Sequence, residues 1–435
     1  MPDLPLLLLQ IGVILVVARV VGWLFRKIHQ PQVMGEMVAG ILLGPSLLGW
    51  VAPDVSTVLF PPGSLGFLSA LSEIGLVLFM FLIGLELDPK IMKGRGHTAV
   101  VISQVSIIAP FLLGAGLAFY LYPRLSEGTT SLLHFVLFIG AAMSITAFPV
   151  LARILTERKL LRTPLGAVAI ACAAVNDVTG WCILAGLVLM VRATDAVIPL
   201  WTTLLGVFAY VAIMLFGVRK LLKKLEALFL KRAQITQDIL SMILLLVLAS
   251  SWVTEWLGIH ALFGAFLLGV IMPKHDGLVH ALTEKLNDAA VVLLLPIFFA
   301  FTGLRTSVGL LDGAQMWFYS ALVIAIAILG KFGGSSLAAR LTGSPWREAG
   351  ALGVLMNTRG LMELVLLNIG LDLGVISPTV FTMLVLMALV TTFMTAPVLE
   401  WIYFARAIPK EYKPTELQLE APVLESLNEQ EIVYC

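Results

Sequence analysis

The 435-residue sequence predicts an all-α polytopic membrane protein with about thirteen transmembrane helices, built as two inverted six-helix repeats whose matched helices are broken where they cross. Three observations lead there. Hydrophobic residues make up 59% of the chain and charged ones 13%, against roughly 25% charged in ordinary soluble domains. Apolar runs of about 20 residues, the length that crosses a bilayer as a helix, recur as far as residue 404. Lys and Arg collect on every second connection between the runs, as they do when loops alternate between the two sides of a membrane.

Breaks at Gly, Pro and charge clusters put the runs near residues 4 to 25, 33 to 50, 65 to 86, 97 to 121, 131 to 156, 164 to 191, 196 to 218, 236 to 257, 259 to 273, 289 to 304, 315 to 339, 346 to 371 and 378 to 404. The first begins without a preceding Lys or Arg and without a small-residue cleavage site after it, so it reads as a span and not as a signal peptide. The ninth is the shortest. Arg26 and Lys27, Lys90, Lys93 and Arg95, Arg153, Arg158, Lys159 and Arg162, Arg219 to Arg232, Lys274 and Lys285, Arg340 and Arg347, and Arg406, Lys410 and Lys413 occupy alternate connections, while the opposite ones hold Arg124, Arg192 and Arg305, 22 basic residues against 3. With an odd number of helices, that bias places the N-terminus outside and the C-terminus in the cytoplasm. Residues 405–435 are polar and mixed in charge, and read as a short cytoplasmic tail dispensable for the chemistry.

The net charge of +1 points to no nucleic-acid partner. Three cysteines are too few for a disulfide framework, and Cys172 and Cys182 lie ten positions apart on one helix, about 15 Å at 1.5 Å per residue, so they read as packing residues.

"GEMVAGILLGP" (35–45) and "GAFLLGVIMP" (264–273), in the second and ninth helices, share two glycines five residues apart and a closing proline. One helix later, "FMFLIGLEL" (79–87) and "FFAFTGLRT" (298–306) share an opening Phe and a Gly-Leu at the same offset. Two matches in the same order suggest duplication, against a chance coincidence of residues common in membrane helices. With the seventh helix as linker, helices one to six and eight to thirteen become equivalent and upside down, the architecture of secondary transporters whose site lies at the midplane.

Under this pairing the fifth and twelfth helices correspond, and each contains a polar stretch: "MSITAFPVLARIL" (143–155) and "MNTRGLMELVLLNIG" (356–370). Broken helices free carbonyls that can coordinate a cation, and such backbone is tolerated at membrane depth only when buried or lining a cavity. A simple kink at Pro149 is the competing reading of the first stretch alone.

Ionisable residues inside membrane spans are costly and are functional hypotheses by default. Asp177 is thirteen residues from Pro164 and fourteen from Val191, near the centre of its helix, with no Lys or Arg close by on that helix. Burial disfavours a charged carboxylate, so this one can hold a proton or a small cation but not both, which is the competition an exchanger requires. The alternative is a buried structural acid donating to a backbone carbonyl. Lys331 in "ILGKFGG" is too deep to snorkel and needs a partner. Arg359 and Glu363 are four apart and read as an i, i+4 ion pair. Arg19 with Glu73 reads as an internal pair, and Glu36 as a residue lining the moving interface. No His or Cys cluster, Gly-rich phosphate loop or intramembrane protease motif supports an enzyme.

"HQPQVMGEMVAGILLGPSLLG" (29–49), "GLVLFMFLIGLELD" (75–88), "AFPVLARIL" (147–155), the Asn176-Asp177 pair and "MNTRGLMELVLLNIG" together resemble the second monovalent cation:proton antiporter family, which includes Kef-type, NapA-type and plant CHX-type exchangers. The resemblance runs in order from about residue 10 to residue 404. It implies the sodium/proton antiporter fold in a membrane domain over 1–404, with scaffold helices over about 4–86 and 236–304, an ion-translocating core over about 97–191 and 315–404, and a linker helix near 196–218. It implies a homodimer, and Na⁺ or K⁺ exchanged for H⁺ by an elevator-like movement; the expected location is a bacterial inner or organellar membrane, and no cofactor is expected. Asp177 matches the essential aspartate that binds the transported cation; Thr146 and Ser144 would add oxygens, with Lys331 the core charge and Asn357, Thr358, Arg359 and Glu363 the polar residues of the second break.

Electrogenic relatives carry two adjacent aspartates, the first pairing with the lysine; here Asn176 takes that place and Lys331 is kept. Electroneutral one-for-one exchange is expected, with Lys331 left to contact Asp177 or a carbonyl at the crossing. Kef-type proteins continue into a nucleotide-binding domain that is not found after residue 404, an expectation against gating by nucleotide or glutathione. The rival readings are a sodium-coupled organic-anion symporter of the same architecture, which would survive loss of Asp177, and a channel, whose flux would not saturate.

Overall fold

The computed structural model describes residues 4–86, 96–126, 130–160, 163–195, 200–232, 235–258 and 260–404. The tail at 405–435 and seven of the basic residues counted above (Lys90, Lys93, Arg95, Arg162, Arg406, Lys410 and Lys413) lie outside the described residues. Among the described residues the chain is helical, without strands. Ten helices are long and apolar enough to cross a membrane, or eleven when the bent pair Trp346–Met356 and Leu361–Asp372 counts as one span. The shorter apolar helices Leu132–Ser144 and Ala261–Ile271 complete a series of thirteen segments, so the expected number is reached only by counting short and broken helices.

In chain order these are α1 (Leu4–Lys27), α2 (Gln32–Leu43), α3 (Leu65–Glu86), α4 (Gly96–Leu125), α5a (Leu132–Ser144) with α5b (Phe148–Glu157), and α6 (Pro164–Asp195). Next come α7 (Leu200–Ala212 and Arg219–Arg232 about a π segment), α8 (Gln237–Trp256), α9 (Ala261–Ile271) and α10 (Asp276–Asn287 and Leu295–Leu304 about a π segment). The last are α11 (Gly313–Ile328 and Gly334–Leu341), α12a (Trp346–Met356) with α12b (Leu361–Asp372), and α13 (Pro378–Leu399). Starts follow local chemistry: the Ser131 and Ser377 hydroxyls accept N–H bonds at the first turns of α5a and α13, satisfying donors that a helix start leaves open.

α2 and α9 have 12 and 11 residues, about 18 and 16 Å of helix; α9 falls short of the roughly 30 Å hydrocarbon core, and α2 reaches span length only with the segment that continues it to Val51. They are the matched pair of the repeat, and both are largely buried. α2 packs on α10 and α9 packs on α3. The matched glycines make both crossings: a Cβ on Gly40 or Gly303 would strike the other helix's backbone, and so would one on Gly84 or Gly269. Each repeat therefore supplies one short helix to clasp the other's long one.

α1 adds to α2 and α10, and α8 to α9. In the second half of the packing, α4 lies on α5a, α6 and α11, α11 on α12a and α13, and α12b on α5a and α13. The two groups meet where α2 touches α13, where Gln30 Nε2 donates to the Phe393 carbonyl (3.1 Å), and at the opposite end, where Arg305 bonds Asp372 (2.5 Å) and Asn368 (3.0 Å). Arg19 and Glu73 form no ion pair, contrary to one reading above: Glu73 is exposed on its helix and accepts from Ser69 Oγ at 3.5 Å. Glu36 is buried and accepts from Gln32 Nε2, one turn earlier, at 2.9 Å.

Candidate functional site

Helix α5 stops at Ser144 and resumes at Phe148, and α12 stops at Met356 and resumes at Leu361 with a 42° bend. A helix C-terminus leaves its last carbonyls without intrahelical donors, and inside a membrane domain protein must supply them. The two breaks supply each other: Ala147 N–H donates to the Thr358 carbonyl (3.0 Å) and Thr146 Oγ1 to the Met356 carbonyl (3.1 Å). Arg359 Nη1 and Nη2 donate to the Ala142 and Met143 carbonyls, both at 2.7 Å. Lys331 Nζ donates to the next carbonyl, Ser144, and to that of Ser106 at 2.9 Å. Three consecutive carbonyls at the negative end of α5a thus face two cations, the arrangement favoured by the helix dipole.

Lys331 reaches this position from a π segment, Leu329–Gly333, within α11, a local widening frequent at functional sites. Its partners are carbonyls, one of the two alternatives left open by the sequence. Arg359 also pairs with Glu363 at 3.2 Å, with both side chains fully buried, as the i, i+4 spacing suggested. Thr392 on α13 holds the backbone of the second break, its Oγ1 accepting from Arg359 N–H (2.9 Å) and donating to the Arg359 carbonyl (2.8 Å).

On α6, Asn176 and Asp177 face different neighbours, as adjacent helix positions do. Asn176 Oδ1 accepts from Ser103 Oγ (2.8 Å), and Nδ2 donates to Ser106 Oγ (2.8 Å) and Thr146 Oγ1 (3.0 Å). Ser106 Oγ passes its own proton to the Ser103 carbonyl (2.8 Å). Every hydroxyl here has one proton to give and an acceptor for it, so the cluster is neutral and internally satisfied.

Asp177 is fully buried, and neither carboxyl oxygen has a hydrogen-bond partner among the described residues. The Phe148 amide, at the start of α5b, faces it outside hydrogen-bond geometry. A small cavity touches it, lined also by Ile145, Gly180, Trp181, Leu184 and Met362. A buried carboxyl without a fixed partner beside freed backbone can take a proton or a desolvated cation in turn.

The crossing thus brings together Asp177, Asn176, Thr146, Lys331, Thr358 and Arg359. Ser144 contributes its carbonyl, while its hydroxyl directs its proton to the carbonyls of Gly140 (2.7 Å) and Ile107 (3.0 Å). Asn357 Nδ2 lies 3.9 Å from Met394 Sδ, and Asn357 Oδ1 and Thr358 Oγ1 are buried without partners among the described residues. Ser103, Ser106 and Thr392 escaped the sequence reading; the three-residue spacing of the two serines on α4 was the available signal.

A model of the transmembrane sodium/hydrogen exchanger family matches residues 14–404. The Na(+)/H(+) antiporter NhaS4 of Synechocystis sp. is 47% identical over 403 residues, covering 92% of this chain and 98% of that protein. Cation/H(+) antiporter 17 of Arabidopsis thaliana is 44% identical over 401 residues, covering 92% of this chain and 48% of the relative. K(+)/H(+) antiporter 1 of Saccharomyces cerevisiae is 37% identical over 407 residues, with 92% and 46% covered. The chain thus spans nearly the whole Synechocystis protein and about half the length of the Arabidopsis and Saccharomyces ones. Among solved structures, the sodium proton antiporter MjNhaP1 from Methanocaldococcus jannaschii superposes with a TM-score of 0.66 over 92% of this chain and 99% of its own, at 15% identity, a likeness of fold.

Proposed function

The chain belongs to the transmembrane sodium/hydrogen exchanger family, and from that premise we propose that it is a secondary active antiporter exchanging Na⁺ or K⁺ for H⁺ at Asp177. The Asp177 carboxyl carries this assignment: it is fully buried at the crossing of two broken helices, with neither oxygen bonded among the described residues. The nearby cations are engaged elsewhere, Lys331 on the carbonyls of Ser106 and Ser144 and Arg359 on those of Ala142 and Met143. Proton and cation compete for one carboxylate, and each expels the other.

Exchange is one for one and electroneutral. Asn176, where an acid would supply a second proton, is held in an uncharged network by Ser103, Ser106 and Thr146. α4–α6 with α11–α13 form the ion-carrying core and α1–α3 with α8–α10 the scaffold, joined by α7; the principal packing falls within these groups. The core moves past the scaffold as an elevator, in a homodimer whose N-termini lie outside and C-termini in the cytoplasm of a bacterial inner or organellar membrane. Large apolar side chains exposed on α1, α7 and α8, among them Trp23, Phe216 and Trp252, suit lipid or a second protomer.

The test is proton movement in proteoliposomes, read by a pH dye on adding Na⁺ or K⁺. The wild type releases protons with at least one of them and Asp177→Asn with neither. Equal release by the variant would remove the ion from Asp177.

A further inference from the structure

Trp181 lies one helical turn beyond Asp177 and lines the same cavity. It is 3% exposed, and its Nε1–H has no acceptor among the described residues. A buried indole N–H ordinarily finds a partner, and one that does not calls for a functional explanation. The ring is held by α9: it meets Phe263 edge-on, with centroids 5.2 Å apart, and lies tilted on Phe266 at 5.9 Å. Two residues whose polar groups lack partners among the described residues, one a donor and one an acceptor, therefore line the same small, mostly apolar-walled cavity, which has room for about one water molecule.

The chemistry restricts what joins them. An indole N–H carries partial positive charge and cannot touch a cation, but it can donate to a water whose other lone pair faces the ion. A carboxylate takes the ion directly or accepts a proton from the same water. We propose that Trp181 is a positioning residue for the transported cation: its Nε1–H holds and orients one water of the ion's shell in the cavity beside Asp177. This rests on Asp177 being the ion site. The cation then arrives keeping one water, and the Trp181 donor sets where that water sits. Because the ring is clasped by Phe263 and Phe266, across the boundary between the two helix groups, the water's position follows the core's position against α9.

Trp181→Phe tests this, since it keeps a ring against Phe263 and Phe266 and removes the N–H. Losing one hydrogen bond to the ion's water raises the cation concentration for half-maximal exchange in proteoliposomes about 3- to 10-fold, with the maximal rate kept. The cation concentration that half-maximally raises the melting temperature of the purified protein shifts by the same factor, a binding readout that needs no transport and that a purely structural tryptophan would leave unmoved. Unchanged half-saturation by either measure overturns the proposal. Asp177→Asn is run alongside. If it is inactive while Trp181→Phe has wild-type half-saturation, the Trp181 proposal fails alone; if Asp177→Asn exchanges at wild-type rates, the ion site itself is misassigned.

Discussion

Lys331 donates to the carbonyl of Ser144, the last residue of α5a, and not to Asp177. Together with Arg359 on the Ala142 and Met143 carbonyls, it closes the end of a helix that stops inside the membrane domain. The two buried cations hold the crossing together by satisfying its backbone, and the Asp177 carboxyl beside the breaks has no hydrogen-bond partner among the described residues.

Lys331→Ala leaves the carbonyls of Ser106 and Ser144 without that donor, at about 1–3 kcal/mol for each buried group left unpaired. The purified variant melts below the wild type in detergent, and Lys331→Gln, which keeps a donor, loses less. An unchanged melting temperature for Lys331→Ala would deny the lysine this role.

Arg359→Met strands Glu363 as a buried acid without its cation and opens two carbonyls, and costs about 3–5 kcal/mol. Adding Glu363→Leu removes the stranded charge and recovers part of that loss. A double-mutant cycle by thermal unfolding reads the coupling; strict additivity would contradict the buried pair.

The glycine crossings are as demanding. Gly40→Val and Gly269→Val each push side-chain atoms into the facing helix backbone and cost at least about 1–3 kcal/mol, read as loss of the monodisperse peak on size-exclusion chromatography. Gly12→Val is the control, because nothing lies within 4 Å of a Cβ placed there. Equal behaviour of all three would refute close packing at the crossings.

Asn176→Asp replaces a group that donates to Ser106 and Thr146 with one that only accepts when ionised. The hydroxyls must reverse and Lys331 gains an acidic neighbour, so stability changes while exchange stays electroneutral. Transport current that follows an imposed voltage in this variant alone would show that the second carboxylate is enough to add a charge per cycle.

The spans were legible because a bilayer imposes length and hydropathy on each of them: the run at 164–191 is α6, and the run at 131–156 is α5a plus α5b, broken within its polar stretch. The repeat was legible in Gly40, Gly269, Gly84 and Gly303, because close approach of two backbones admits no Cβ. Asp177 stood out because a charge at that depth is rare. Serines are common in membrane helices, so the three-residue spacing of Ser103 and Ser106 carried little weight until α4 was seen against α6. The partner of Lys331 was equally hidden, since it is a backbone carbonyl brought near by the π segment of α11, and carbonyls have no sequence signature.

The central claim is that one proton and one cation compete for Asp177, and the measurement that tests it most directly is the rate of exchange against cation concentration at a series of pH values on the same side of the membrane. Competition predicts that the cation concentration for half-maximal rate rises as pH falls, approaching about tenfold per pH unit once the carboxyl is mostly protonated, while the maximal rate at saturating cation is kept. Inhibition by acid that no amount of Na⁺ or K⁺ reverses, with half-saturation unchanged, would contradict it.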